Sequence, residues 1–502
     1  MAITDELRAR FLPPASLAPA ASLLLQLPAE LLSVILSNLD TRALARLAVT
    51  CRLLYRDAPT PPPPPRQIGP VETELRRRAE ARGLDVGSSL PEGATSWVAC
   101  LLKRERRDAQ RRQTPLAVGH TYSIFVDTGG RLHTCGHEFA STAVLGHAVD
   151  PDADPNDLRE IVSFTPVPSM QDRRIFSVAA SSVHCLALSA AEGEVYSWGD
   201  GFHGSLGHGD VDARAVPSRI ESLSRIEFIA VGQIRTSAAV DEKGRLFTWG
   251  QASLLEEEED SDGEEGPSGL GYELDVETEY QAIPKRVDAL SQDRVMGVAL
   301  GFGFTLAVTG AGAVFSFGSG QAGKLGHGSL ESVVLPRRIE PLTQTGRRFV
   351  TVAAGSSHAF ALTEEGELYG WGDEINGHGR EERTPHRVAA LIGQRIKCVH
   401  AESSLSGVLT EEGELFTWGL LCYGMGHGIR SLKLAPTRVE GFGSARIAVL
   451  TMCWTHTLAV DEDGVVWAFG ARPTLGLGAS ALDAAAAVLS PTPIPTLRVH
   501  VL

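Results

Sequence analysis

Between residue 116 and the C-terminus, apolar and polar residues alternate in short runs, each stopped by glycine or an acidic turn. The run Ala359-Phe-Ala-Leu362 meets Thr363-Glu-Glu-Gly366, and Leu368-Tyr-Gly-Trp-Gly372 follows it. A period of two marks strands with one buried face, and the intervening turn residues predict hairpins. One phrase recurs seven times: glycine, any residue, Leu or Val, an aromatic or His, any residue, a Trp-like residue, glycine. It runs from Gly130–Gly136 through Gly193–Gly199, Gly244–Gly250, Gly312–Gly318, Gly366–Gly372 and Gly413–Gly419 to Gly464–Gly470. Hairpins repeated at intervals of about 50 residues predict a closed radial array of small sheets, not one folded core.

Two further phrases hold the same order around the first. Val178-Ala-Ala-Ser-Ser-Val-His184 and Val352-Ala-Ala-Gly-Ser-Ser-His358 precede it, while Gly204-Ser-Leu-Gly-His-Gly209 and Gly323-Lys-Leu-Gly-His-Gly328 follow, each before a Pro-led strand. These residues resemble the repeat of the regulator of chromosome condensation family. That resemblance covers residues 113–502 and implies a mainly β protein, a seven-bladed β-propeller. Kelch and WD repeats fit worse, because neither a recurring double glycine nor a Trp-Asp dipeptide is present in register. The C-terminal Pro493–Leu502 segment reads as a Pro-led strand without a following hairpin, and Leu116–Val126 as the missing hairpin. A blade shared between the two ends is therefore expected, since it would leave no unpaired sheet edge.

Composition changes this picture in two places. Acidic insertions lengthen the first and third repeats, at 150–157 and 256–265, and the second holds eight carboxylates and is expected to be disordered. Without those eight, the formal charge of −15 falls to −7, and such a body asks for no nucleic acid. Seven cysteines lack metal-ligand spacing, no cofactor motif is present, and no apolar run is long enough to span a membrane. Together with the lack of a signal peptide, this points to the cytoplasm, the nucleus or both. His147, His208, His327, His378 and His427 occupy equivalent loops. A catalytic site needs unlike residues converging once, so a histidine repeated five times is expected to hold the same loop five times.

Ahead of the repeats the pattern becomes helical. A tail over 1–25 leads to Leu27-Pro28, with Leu31, Leu32, Ile35, Leu36 and Leu39 at helical spacing. Leu44 and Leu47 share a second helical face, and Cys51 and Leu54 begin a third segment. Three short helices in about 30 residues cannot make a core alone and call for a partner. Residues 26–58 resemble an F-box, which implies that these eleven side chains dock onto the Skp adaptor of a cullin-based SCF ubiquitin ligase. A Pro-rich linker over 59–95 and a basic helical stretch over 96–112 follow.

The two resemblances together imply a non-catalytic substrate receptor whose propeller captures an unidentified protein target. The alternative is guanine-nucleotide exchange on a small GTPase, and light sensing finds too few tryptophans and no Gly-Trp-Arg-His run. One repeat within the repeat bears on target capture. Arg219, Arg286, Arg338, Arg387 and Arg438 each sit two residues after the strand proline and before Ile or Val, predicting an incomplete ring. Each arginine either pairs with an acidic turn of its own or the adjacent blade, or remains free to hold an acidic segment of the target.

Overall fold

The computed structural model describes residues 115–498, apart from 151, 153, 155, 191, 192, 234, 252–268, 275–278, 421 and 478–486. Among these residues, 28 strands form seven four-stranded antiparallel sheets, the blades of a propeller. Blades 1 to 7 span 116–166, 175–219, 226–286, 295–338, 349–387, 396–438 and 447–498. First strands of neighbouring blades touch around the axis, and fourth strands lie outermost. The fourth strands carry the prolines, which an outer edge tolerates because its outward N–H has no partner to lose.

The recurring glycine phrase is the third strand of each blade. Its Leu or Val and its Trp-like residue, three positions apart, fall on opposite faces and are buried throughout, the latter as Cys135, Trp198, Trp249, Phe317, Trp371, Trp418 and Phe469. Seven apolar cores result, one at each junction between neighbouring blades. Each indole also donates across its junction. Trp198 Nε1 reaches Val144 O at 2.8 Å, Trp249 reaches Ser205 O at 2.9 Å, Trp371 reaches Lys324 O at 2.8 Å and Trp418 reaches Ile375 O at 2.7 Å. The glycine before the loop histidine makes room for this contact: a Cβ on Gly326, at φ +76°, would lie 2.9 Å from Trp371 Nε1.

The ring does not close by a shared blade. Blade 1 is complete within 116–166, and the C-terminal strand, Ala487–Arg498, pairs antiparallel with Val465–Ala471 inside blade 7. The Pro-led strand ends each blade instead of opening one, so neither terminus lacks a hairpin. Blades 7 and 1 instead join through side chains. His456 Nε2 meets Ser123 Oγ at 2.7 Å, and Leu116, Val118 and Phe125 share a core with Leu458, Val460 and Ile494. The same histidine–serine latch joins blades 2 and 3 (His184–Ser237, 2.8 Å) and blades 5 and 6 (His358–Ser406, 2.8 Å). Closure repeats an ordinary junction, and no sheet edge inside the ring is left for a strand exchange to cover.

Candidate interaction surfaces

The repeated loop histidines are structural. His147, His208, His327 and His427 each place Nε2 2.9–3.1 Å from the Ser or Thr hydroxyl on their own third strand, Thr134, Ser197, Ser316 and Thr417. That hydroxyl also donates to the loop carbonyl, fixing the turn twice. His378 departs from this pattern, since Gly370 stands at the hydroxyl position and His378 turns to His386 O at 3.1 Å. Its loop, from Gly372 to His378, is three residues shorter than its counterparts in blades 2 and 4. The shorter loop brings Asn376 O so close that a Cβ at residue 370 would lie 2.1 Å away. Burial lowers the pKa of all five, which keeps them neutral near pH 7. No group of three or more metal-ligating side chains is present among the described residues.

The five outer arginines share one register position. Arg219, Arg286, Arg338, Arg387 and Arg438 each stand opposite the third-strand aromatic of their blade, Tyr196, Phe247, Phe315, Tyr369 and Phe416. Their following residues, Ile220, Val287, Ile339, Val388 and Val439, are buried, as strand alternation requires. In blades 2, 5 and 6 the arginine reaches diagonally to a glutamate two residues before that aromatic: Arg219–Glu194 at 2.9 Å, Arg387–Glu367 at 3.1 Å and Arg438–Glu414 at 3.0 Å. Blade 3 carries Arg245 at the glutamate position, and both arginines find other acids: Arg245 pairs with Asp241 and Arg286 with Asp288 at 2.5 Å. Blade 4 carries Ala313 there, and Arg338 has no carboxylate within 4.0 Å among the described residues. Four of the five arginines thus have a carboxylate partner, and Arg338 has none among the described residues.

A second set of arginines escaped the sequence reading. Arg174, Arg225, Arg294, Arg348, Arg395 and Arg446 each precede the apolar residue that opens the first strand of a blade. Several reach the turn between second and third strands of their own or the preceding blade: Arg225–Glu242 at 2.9 Å, Arg446–Glu462 at 3.1 Å and Arg348 Nη2 to Gly310 O at 2.5 Å. The signal was available as Arg followed by Ile, Val or Phe at six of the seven blade starts, but it has no chemical distinctness until the turns are placed beside it.

The opposite face is formed by turns between first and second strands. Here Trp454 and Phe302 are 40% and 44% exposed where blade 5 carries Ser356. Glu402 accepts the Trp454 N–H at 3.0 Å and lies 3.6 Å from His120 Nε2, which raises the pKa of His120. Arg235 stacks over Phe202 at 5.2 Å while paired with Asp200 at 3.2 Å. Neither aromatic was distinguishable in the sequence from the core aromatics of the third strands. The proposed adaptor-docking residues from Leu27 to Leu54, the linker, the basic stretch and the 256–265 insertion lie outside the described residues.

Repeats of this construction are found in known proteins. Residues 192–238 and 311–362 match the regulator of chromosome condensation (RCC1) repeat, residues 349–380 match a second form of it, and residues 24–58 match an F-box-like domain. The ultraviolet-B receptor UVR8 of Arabidopsis thaliana is 32% identical over 392 residues, 74% of this chain and 72% of the receptor. The human E3 ubiquitin-protein ligase HERC2 is 36% identical over 295 residues, 56% of this chain but 5% of that protein. Prp20p of Saccharomyces cerevisiae superposes with a TM-score of 0.58 at 22% identity, covering 75% of this chain and 88% of that one, and shows the fold alone. The chain belongs to the RCC1-repeat propeller family and joins that propeller to an F-box-like domain.

Proposed function

We propose that the protein is the substrate-recognition subunit of an SCF-type E3 ubiquitin ligase acting in the cytoplasm or nucleus. The F-box-like segment docks to the Skp adaptor and so to the cullin, and the propeller binds the target for ubiquitination and degradation. The observation that carries this reading is the F-box-like match at 24–58 on the same chain as a propeller closed on its own blades. Every blade has its four strands within residues 116–498, so none takes a strand from the F-box-like segment. The propeller's contribution is positional: it raises the effective concentration of target lysines near the charged conjugating enzyme, and bond chemistry takes place on other chains.

The test is to replace Leu27 and Pro28 with Ala in the full chain and recover bound proteins from cells. Adaptor and cullin should be lost while the propeller's melting temperature is unchanged. Undiminished adaptor recovery would refute the reading, and stimulated nucleotide release from a small GTPase would replace it with exchange activity.

A further inference from the structure

The turn between second and third strands carries at least one carboxylate in six blades. Asp127, Glu194, Asp241, Glu367, Glu414 and Asp461 supply it in blades 1, 2, 3, 5, 6 and 7. Blade 4 reads Thr309-Gly-Ala-Gly-Ala313, with none. Three exposed arginines surround this acid-free turn. Arg294 lies against one side of it, where a Cβ on Gly310 would be 3.9 Å from the arginine's own Cβ. On the other side a Cβ on Gly312 would be 2.5 Å from Arg348 Cγ. Arg338 stands one strand away, opposite Phe315.

Their charges are poorly met. Arg294 gives one hydrogen bond to a carbonyl, Glu242 O, at 3.3 Å, and Arg348 donates to Gly310 O of the turn at 2.5 Å but has only a loose carboxylate pair, with the exposed Glu364 at 3.7 Å. Glu340 follows Arg338 by two residues, yet the two are not paired, although Arg219–Glu221 and Arg438–Glu440 make that contact at 3.6 and 3.9 Å. In a chain with formal charge −15, three guanidinium groups with so little compensation mark a local positive sector.

We propose that this sector, Arg294, Arg338 and Arg348 around the Thr309–Ala313 turn, is the docking site for a short acidic segment of the target protein. The inference rests on the propeller being the target-binding module. Neighbouring carboxylates set the length of the ligand: Glu242 borders the sector in blade 3, and Glu364 and Glu365 border it in blade 5. They repel a polyanion running around the face, so a few consecutive acidic residues fit and a nucleic-acid strand does not. Arginine suits the task because its planar fork takes a carboxylate through two hydrogen bonds. The ring itself supplies the precedent, since a glutamate at the Ala313 position reaches the equivalent arginine in three other blades.

That precedent gives the test. Ala313→Glu restores the missing partner, so it should occupy Arg338 without harming the fold. The purified full-length protein is titrated with a fluorescent peptide carrying three consecutive glutamates, in low and in physiological salt. Ala313→Glu and Arg338→Glu should each weaken binding about tenfold or more, with melting temperature retained. Arg446→Glu, the same charge change in blade 7, should leave binding intact. The proposal is overturned if Ala313→Glu binds like the wild type, if Arg446→Glu weakens binding equally, or if a single-stranded oligonucleotide competes as well as the peptide. The assay contains no adaptor, so loss of adaptor binding in the Leu27/Pro28 variant tests the receptor reading separately.

Discussion

Acid should dismantle this propeller through its latch histidines. Burial holds the pKa of His184 at about 4 and those of His358 and His456 at about 3, against an ordinary value of 6.5. A base whose folded pKa is depressed binds fewer protons folded than unfolded, so its contribution to stability is intact above pH 6.5. It is lost progressively as pH falls from 6.5 towards the folded values. At pH 5 each unfolded-state histidine is protonated and each folded one is neutral, a penalty of about 2 kcal/mol each, or about 6 kcal/mol for the three. Domains are held by about 5–15 kcal/mol, so this loss is a large part of the total. Urea unfolding followed by tryptophan fluorescence at several pH values gives the slope of stability against pH. In His456→Gln, where blade 7 meets blade 1, one titrating group is gone, and the slope below pH 6 should fall by about 1.4 kcal/mol per unit. The variant loses stability near neutral pH while becoming less sensitive to acid. Wild-type slopes in His184→Gln, His358→Gln and His456→Gln alike would show that these histidines are not buried neutral at the junctions.

Three further outcomes are expected. Trp418→Phe keeps a ring of the kind already present at Phe317 and Phe469 but leaves Ile375 O with only the long 3.4 Å bond from Ser406 Oγ, so it should cost about 1–2 kcal/mol in equilibrium unfolding. Deleting 487–498 strips the fourth strand from blade 7, exposing the edge of Val465–Ala471 and the buried Val466. Melting temperature should fall sharply and concentration-dependent aggregation appear in light scattering. Arg438→Ala removes a half-exposed ion pair with Glu414, which is worth about 0–1 kcal/mol, and should leave the melting temperature nearly unchanged.

The number of blades and the strand content were legible in the sequence because a repeated phrase reports the same local physics each time. Glycine turns and period-two alternation need no tertiary information, and Leu132, Val195 and Leu246 are buried as that alternation requires. The F-box-like segment was legible for a similar reason, as a dense pattern of apolar residues over a short span, and the family match at 24–58 agrees with it. The phase of the blade was not legible: sequence order cannot say whether a Pro-led strand begins one sheet or ends the last. Hydrogen bonding decides that, and it made Ala487–Arg498 the outer strand of its own blade, leaving closure to His456 and Ser123. The state of the arginine ring likewise depended on what lies diagonally across two strands. Arg338 and Arg387 look alike in sequence, and only the fold sets Ala313 beside one and Glu367 beside the other.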